Sequence, residues 1–338
     1  MKVLFFTNPE EDYLADGVFH GLRTLLGDDC VDYPKCEIMY KNCPQGIKKQ
    51  VRGNGFSLYS GLLDDIPVNR FKIEEKIGTG YFDLIVFANI QRQFGLFTQY
   101  RHNLNSKNTI VLDGEDISSP YPARGFWWRK LYCWNLPKAH KEFLYFKREW
   151  MPNTYFGFLT SILHRVFKIK FSQAKNLRKI AFSFPQEKIF SGTPIKVKDF
   201  PKHIVDTEVA KNIDGSVSSY AFENEDEYYS DLQCSKFGVT TLRAGWDCLR
   251  HYEIAANQCL PCFKQLNLKP DTCAPHDLDE SNCIIYSDYK DLQEQISKLS
   301  KSKYKDLLAG SSRWIANQTT VKRAEEVIGE FLAFKAAH

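Results

Sequence analysis

The sequence predicts two α/β domains, each built on a parallel sheet, that face a central cleft. Three observations support this fold class. The chain has 338 residues, more than one hydrophobic core comfortably holds, so two domains are expected. Apolar runs of strand length alternate with helical patterns in the first 150 residues. A second alternating series follows after about residue 185.

The first domain is predicted to span residues 1–150. Its elements are, in order, the strand KVLFFT (2–7), the helix YLADGVFHGLRTLLG (13–27), and the strands FDLIVFANI (82–90) and NTIVLDGED (108–116). Because the apolar runs are continuous rather than alternating, the sheet should be parallel and covered on both faces. Ligands bind beyond the carboxyl ends of such strands, which here are residues 7–16 and 113–116.

Residues 151–184 are predicted to form a basic, aromatic connecting segment. No Asp or Glu occurs from Trp150 to Gln186, whereas six cations do: Arg165, Lys168, Lys170, Lys175, Arg178 and Lys179. Cationic amphipathic stretches bind anionic membrane surfaces. We therefore expect this segment to contact a membrane surface or an acidic glycan; packing beneath the linker between the domains is the alternative.

The second domain is predicted to span residues 185–310, and residues 311–338 to form a closing C-terminal helix. The pattern over 303–334 is compatible with one or two helices. The other predicted elements are a helix (222–232), the strand KFGVTT (236–241), the helix GWDCLRHYEIAAN (245–257), the strands CLPCF (259–263) and NCIIYSD (282–288), and a helix (288–299).

Composition and charge exclude several classes of protein. Hydrophobic residues make up 43% and charged residues 25%, which is ordinary for a soluble globular protein. A net charge of +4 is small for a nucleic-acid binder, so no nucleic-acid partner is expected. The first residues fit a buried strand better than a signal peptide, and no run approaches the ~20 apolar residues of a membrane span. We expect a cytoplasmic chain with its 10 cysteines reduced.

The segment Ser235–Phe263 concentrates charged side chains around a helix start, just ahead of a predicted strand. They are Lys236, Arg243, Arg250, His251 and Glu253. A helix N-terminus flanked by cations is suited to a diphosphate, and a carboxylate on the same helix can accept hydrogen bonds from both hydroxyls of a ribose. The pattern therefore favours a nucleotide site. The alternative is an Arg250–Glu253 pair on a solvated helix face.

One part of this segment resembles a known family. RHYEIAANQCLPCF (250–263) resembles the Arg-x-x-Glu-(Ala)-x-x-x-Gly-x-x-Pro segment of GT-B glycosyltransferases, and looks nearest to bacterial cell-surface polysaccharide transferases and exostosin-like enzymes. EDYLADGVFHGLRTLLGDDCVDYP (11–34) is similar to the opening of such enzymes. The sequence departs from the pattern at Gln258, where a glycine is common. The resemblance implies the GT-B architecture, in which two Rossmann-like domains face a cleft.

The resemblance also implies an activity: transfer of a hexosyl or related group from a nucleotide-sugar donor to a surface glycan or lipid-linked acceptor. The C-terminal domain would hold the donor, with Glu253 on the ribose, and the N-terminal domain would hold the acceptor. Such enzymes often need no metal, so no cofactor beyond the donor is expected. A glycolipid acceptor would agree with a peripheral location at the inner face of a membrane.

A transfer that inverts configuration needs a base for the acceptor hydroxyl. Asp16 follows the loop after the first strand and is the first candidate. A cap or first-turn acid of the helix would also explain an aspartate there. Asp12 and Glu11 are neighbours that can exchange roles with it. A transfer that retains configuration would need no such base.

A second group of candidates lies at the next strand ends. Asp113, Glu115 and Asp116 in LDGED are the alternative catalytic acids, although a turn alone would explain Asp-Gly. Lys147 and Arg148 in YFKREW lie near the domain boundary, where they can reach the diphosphate or an anionic acceptor. Cations that simply face water are the alternative for this pair.

Four residues have zinc-ligand types and spacing: Cys259, Cys262, Cys273 and His276. In a strand, however, residues three apart point to opposite faces, so Cys259 and Cys262 would not converge. Buried free thiols are the preferred interpretation.

Two other functions remain open from the sequence. A sugar-nucleotide epimerase or hydrolase on the same two-domain frame would share the nucleotide site. A non-catalytic nucleotide-binding protein of an assembly complex belongs to a different class. Replacing Glu253 with Ala separates the last case: it should abolish donor binding if the chain is a transferase, and leave partner binding intact if the chain is an assembly protein.

Overall fold

The computed structural model describes residues 1–8, 10–48, 58–121, 138–151 and 175–338. The expected contact of the basic connecting segment with a membrane or glycan concerns mainly residues 152–174, which lie outside the described residues.

The first sheet has six described strands, all parallel, in the order β2-β1-β3-β4-β5-β6. The strands are β1 (Val3–Phe6), β2 (Cys30–Tyr33), β3 (Leu84–Phe87), β4 (Thr109–Asp113), β5 (Leu144–Lys147) and β6 (Leu177–Lys179). Every residue of β1, β3 and β4 is buried, which explains their continuous apolar sequences. The edge strand β6 comes from the predicted connecting segment.

Helices and short 3-10 turns connect these strands. The helices are α1 (Tyr13–Leu26), α2 (Gln45–Lys48), α3 (Ile73–Gly78), α4 (Phe94–Tyr100) and α5 (Ala139–Glu142), and the turns cover Gly27–Asp29, Glu37–Met39 and Arg101–Asn103. The helix predicted over 13–27 is confirmed, and it ends at Gly27, whose φ of 57° suits a residue without a Cβ.

The order of the first sheet places a crevice between β1 and β3. The chain leaves β1 toward β2 on one side and leaves β3 toward β4 on the other. Where connections diverge in this way, the loops beyond the strands separate and leave room for a ligand. The loops that follow β1, β3 and β4 therefore form one wall of the cleft described below.

The second sheet has three described strands, also parallel, in the order β7-β8-β9. They are β7 (Phe237–Thr240), β8 (Leu260–Lys264) and β9 (Ile284–Tyr286). The accompanying helices are α6 (Thr207–Lys211), α7 (Glu225–Cys234), α8 (Leu249–Ala256), α9 (Tyr289–Ser297), α10 (Lys301–Asn317) and α11 (Thr320–Ala336), with 3-10 turns at Gln186–Lys188 and Leu266–Leu268. The closing segment thus forms two helices, and two α/β units are present as predicted.

The two closing helices bind the sheets together. α10 packs on α8 and β8 of the second sheet, whereas α11 packs on α1 beside the first sheet. Tyr252 of α8 stacks on Trp314 of α10 with ring centroids 5.1 Å apart, and both belong to a hydrophobic cluster that includes β1 and β8 residues. Every described helix is too short or too polar to cross a lipid bilayer.

Two helical glycines test the packing of α1 against α11. A Cβ at Gly21 would lie 1.9 Å from the carbonyl oxygen of Thr320, whereas a Cβ at Gly329 would meet nothing within 4 Å. We expect Gly21→Ala to lower the free energy of unfolding by about 1–3 kcal/mol, because backbone must move. The control Gly329→Ala should raise it by up to about 1 kcal/mol through helix propensity. Denaturant unfolding measures both, and equal effects would contradict this packing.

Candidate functional site

A cleft of about 450 Å³ opens between the two sheets. Its first wall is formed by loops that follow β1, β3 and β4, and its second wall by the loop after β7, by α8 and by α7. The predicted site residues that line it are Glu11, Asp12, Glu115, Asp116, Arg148, Arg243, Arg250 and Glu253. The predicted site residues that do not line it are Asp16, Asp113, Lys147, Lys236 and His251.

An asparagine joins two carboxylates on the first wall. The Nδ2 group of Asn89, which follows β3, donates to Asp12 Oδ2 at 2.7 Å and to Glu115 Oε1 at 2.9 Å. Its Oδ1 accepts from the backbone N–H groups of Gln91 and Arg92, so the amide is held with its NH₂ toward the acids. These acids lie at the crevice between β1 and β3.

Asp12 is both a helix cap and a cleft residue. Its Oδ1 accepts from the backbone N–H of Ala15 at 3.1 Å, which satisfies one free donor at the start of α1. Burial raises the pKa of Asp12, although the hydrogen bond from Asn89 and the Ala15 N–H oppose the shift. A carboxylate with a raised pKa is a stronger proton acceptor than an ordinary aspartate.

Asp16 lies one turn further along α1 and supports the helix start. Its Oδ2 accepts from the backbone N–H of Asp12 at 3.2 Å, and only 7% of the residue is exposed. Burial raises its pKa well above the ordinary value, and the Asp12 charge adds to this. Its place behind Asp12, away from the cleft lining, favours Asp12 as the base.

Asp113 and Lys147 satisfy each other inside the first sheet. They are register partners at the ends of β4 and β5, and Lys147 Nζ lies 2.7 Å from Asp113 Oδ1. The Tyr145 hydroxyl donates to the other carboxylate oxygen. Both charges are almost completely buried, so neither faces the cleft.

Arg148 forms the floor of the cleft. Its Nε donates to Gly114 O at 3.0 Å, its Nη1 to Glu149 Oε1 at 3.0 Å and to Asp247 O at 3.1 Å, and its Nη2 pairs with Asp116. The side chain is therefore neutralised by two carboxylates and joins loops of both domains. Its predicted contact with a diphosphate would have to compete with these partners.

Asp247 explains why α8 begins at Leu249, four residues after the predicted start at Gly245. The Asp247 backbone N–H donates to Glu149 Oε1 at 2.8 Å. Its carboxylate accepts from the Phe182 N–H and from the Tyr252 hydroxyl, both at 2.8 Å. Asp247 is thus anchored across the domain junction rather than placed in the first turn of the helix.

Gly245 is required by the close approach of two acids. A Cβ at this position would lie 2.6 Å from Glu149 Oε1 and 2.7 Å from Asp116 Oδ1. The backbone of the loop after β7 therefore passes directly over the acids that Arg148 holds. This contact brings the second wall against the floor of the cleft.

Glu253 lies on the second wall and is held by a tyrosine. The Tyr228 hydroxyl donates to Glu253 Oε2 at 3.2 Å. Burial raises the pKa of Glu253 to about 7, with a smaller rise from Glu225 and an opposing effect from Arg250. The carboxylate lines the cleft, and burial brings its pKa close to neutral pH.

Two arginines on the second wall have no carboxylate partner within the described ranges. Arg250 Nη2 donates to His203 Nε2 at 3.1 Å, which is a neutral acceptor, and Arg243 is exposed at the rim. Partly buried cations without an anion favour binding of an anionic ligand. This wall is therefore suited to a diphosphate.

Lys236 and His251 lie elsewhere. Lys236 directly precedes β7, at the opposite end of the strand from the cleft, and pairs with Asp199 at 2.8 Å. His251 is fully buried; its Nε2 donates to Trp246 O at 2.9 Å and its Nδ1 accepts from the Thr240 hydroxyl at 2.7 Å. Burial lowers the pKa of His251 to about 3. The neutral ring therefore holds the loop after β7 in place through these two hydrogen bonds.

The cysteines considered for zinc are buried free thiols. Cys259, Cys262 and Cys273 are all buried, and Cys262 lies within β8. Among the described residues, no three His, Cys, Asp or Glu side chains are grouped in a way that could hold a metal ion.

Several site residues were missed by the sequence analysis: Asn89, His203, Tyr228 and Asp247. Asn89 lies at the end of a predicted strand, at the edge where ligands bind, so strand-end position was an available signal. His203 and Tyr228 carry no local signal, because their partners are 47 and 25 residues away. Asp247 has one near partner, Tyr252, but its other partners lie in the distant segments around Glu149 and Phe182.

No protein-family model matches this sequence, and comparison with curated proteins finds no match either. Solved structures do match. HepE from Anabaena, solved with UDP and glucose, is 9% identical over 98% of this chain and 100% of HepE, with a TM-score of 0.54. A glycosyltransferase from Rickettsia africae is 9% identical over 98% of each chain, with a TM-score of 0.55. These similarities confirm the predicted GT-B fold.

The pKa of Glu253 gives a prediction for stability. A carboxyl whose pKa rises from 4.5 to about 7 on folding stabilises the fold below pH 4.5, and that contribution is lost as the pH rises through about 7. Glu253→Gln should therefore gain stability relative to the wild type between pH 4.5 and 7, by about 3 kcal/mol. Chemical denaturation at several pH values measures this, and a pH-independent difference would contradict the shift.

Proposed function

We propose that this chain is a glycosyltransferase that moves a sugar from a nucleotide-sugar donor to a hydroxyl of an acceptor. The observation that carries the proposal is the opposition of two unlike walls across one cleft. One wall presents Glu253 with Arg243 and Arg250, which form no ion pair within the described ranges, and the other presents Asp12 held by Asn89. A donor and an acceptor need these two environments at one place.

The donor is assigned to the second wall. Glu253 would accept hydrogen bonds from the two ribose hydroxyls, and the diphosphate would lie against Arg250 and Arg243. The similarity in fold to HepE, which was solved with UDP and with UDP-glucose, makes a uridine diphosphate sugar the first donor to test.

In the proposed reaction Asp12 removes the proton of the acceptor hydroxyl while its oxygen attacks the anomeric carbon. The bond from that carbon to the diphosphate oxygen breaks, and the nucleoside diphosphate leaves with the bonding electrons. Arg250 and Arg243 would stabilise the negative charge that develops there. With Asp12 as base, the sugar is transferred with inversion of configuration.

The acceptor and the location complete the proposal. We assign a surface glycan or a lipid-linked acceptor to the first wall. We also propose that the chain is cytoplasmic and lies peripherally at the inner face of a membrane. The basic segment 151–184 would provide the contact with anionic lipid. Cationic side chains would take the role that a metal has in other transferases, so we propose that the transfer is independent of metal.

Donor binding is tested by a matched pair of glutamate variants. Thermal shift against UDP, GDP, ADP, CDP and their sugars should show stabilisation of the wild type. Glu253→Ala should weaken binding at least tenfold, because it removes the ribose acceptor. Glu227→Ala, an exposed position on α7, should bind as the wild type does. Equal binding by both variants would refute the donor assignment.

The role of Asp12 is tested by a variant that preserves the helix cap. Asparagine caps helices as well as aspartate, so Asp12→Asn should fold and bind donor normally but lose about 10²-fold or more in kcat. Transfer of a labelled sugar to glycan acceptors measures this. Undiminished kcat would exclude Asp12 as the base, and release of free sugar with water as the only acceptor would indicate a hydrolase.

A further inference from the structure

The partners of Arg250 are neutral, and this sets its orientation. Its Nη2 donates to His203 Nε2 at 3.1 Å, and the Tyr228 hydroxyl lies close enough to raise the pKa of the guanidinium. It forms no ion pair with a carboxylate in the part of the chain that the structure describes. The guanidinium is therefore held in place without a direct ion pair among the described residues, although the nearby Glu253 carboxyl attracts it.

The tautomer of His203 follows from its second partner. Nδ1 lies 2.8 Å from the carbonyl oxygen of Ser219, and because a carbonyl only accepts, Nδ1 must carry the proton. Nε2 then has a free lone pair directed at Arg250. Burial, together with the nearby charge of Arg250, lowers the pKa of His203 and keeps the ring neutral, as an acceptor for a cation must be.

The segment that carries His203 is itself fixed by backbone hydrogen bonds. The Ile204 N–H donates to Val217 O at 3.0 Å, and the Val217 N–H donates to Lys202 O at 2.8 Å. His203 is only 7% exposed and is not among the residues that line the cleft. Its contacts with cleft residues are the hydrogen bond to Arg250 and an edge contact with the Tyr220 ring, 5.8 Å between centroids, and only the first of these orients a cation.

The same set of hydrogen bonds continues to the ribose ligand. Tyr228 lies between Arg250 and Glu253 and donates to Glu253 Oε2 at 3.2 Å. The series Ser219, His203, Arg250, Tyr228 and Glu253 thus links the proposed diphosphate cation to the proposed ribose acid. Loss of His203 would free the Arg250 guanidinium before it affected Tyr228 or Glu253, because His203 contacts Arg250 directly.

We propose that His203 is a positioning residue that holds the Arg250 guanidinium for the donor diphosphate. The proposal rests on the donor site described above and deepens it, since it adds a residue that the ligand does not touch. The nucleoside part of the ligand gains nothing from His203.

The test compares the binding of UDP with that of uridine. If the wild type prefers guanine nucleotides, GDP and guanosine take the place of these two ligands. His203→Leu should weaken UDP binding about tenfold and leave uridine binding unchanged, whereas His203→Gln, whose amide oxygen can accept from Arg250, should stay within about threefold of the wild type. Added to Arg250→Ala, His203→Leu should cause less than a twofold further loss. Thermal unfolding verifies that each variant is folded.

The outcomes separate the two proposals. Each of four results would overturn the positioning role. His203→Leu could leave UDP affinity unchanged, could weaken UDP and uridine equally, or could add fully to the effect of Arg250→Ala. His203→Gln could fail to restore binding. A wild-type chain that binds none of UDP, GDP, ADP or CDP would overturn the donor site itself.

Discussion

The buried guanidinium of Arg148 is the constraint on which the cleft depends. With only 2% of the residue exposed, its charge is costly unless it is paired and its donors are satisfied. The partners come from loops of both domains: Gly114 and Asp116 after β4, Glu149 after β5, and Asp247 after β7. Because loss of a carboxylate partner would leave charge uncompensated and loss of a carbonyl partner would leave a buried donor unsatisfied, these loops are fixed relative to one another at the floor of the site.

Arg148 at the floor of the cleft is paired with groups of the protein itself, and the two walls present different polar groups to a ligand. On the first wall, Asp12 and Glu115 share the amide of Asn89, so it presents oriented acceptors for neutral donors such as hydroxyl groups. On the second wall, Arg250 and Arg243 have no carboxylate partner in the described ranges, so it favours an anion. A sugar joined to a diphosphate, lying between the walls, would place its reacting carbon where a hydroxyl on the first wall can approach.

The fold and part of the site could be predicted because their signals are local. Continuous apolar runs specify buried parallel strands, and Glu253 was assigned from the charge pattern around its helix together with the resemblance of residues 250–263 to a known family. His203 and Tyr228 could not be assigned, because their partners are brought together only by the packing of segments that are distant in sequence. Asp16 and Lys236 were predicted because they are charged and lie near elements that border the cleft. Asp16 lies behind the helix cap Asp12, and Lys236 lies at the end of β7 opposite the cleft, so neither charge reaches it.

The central claim is that the second wall binds an activated sugar by its ribose and diphosphate while the first wall faces the reacting carbon. A crystal structure of the chain with UDP bound tests this most directly. The account predicts ribose hydroxyls within hydrogen-bonding distance of Glu253 and the diphosphate against Arg250 and Arg243. A nucleotide bound outside the cleft, or one whose diphosphate lies against the Asp12 wall, would contradict it.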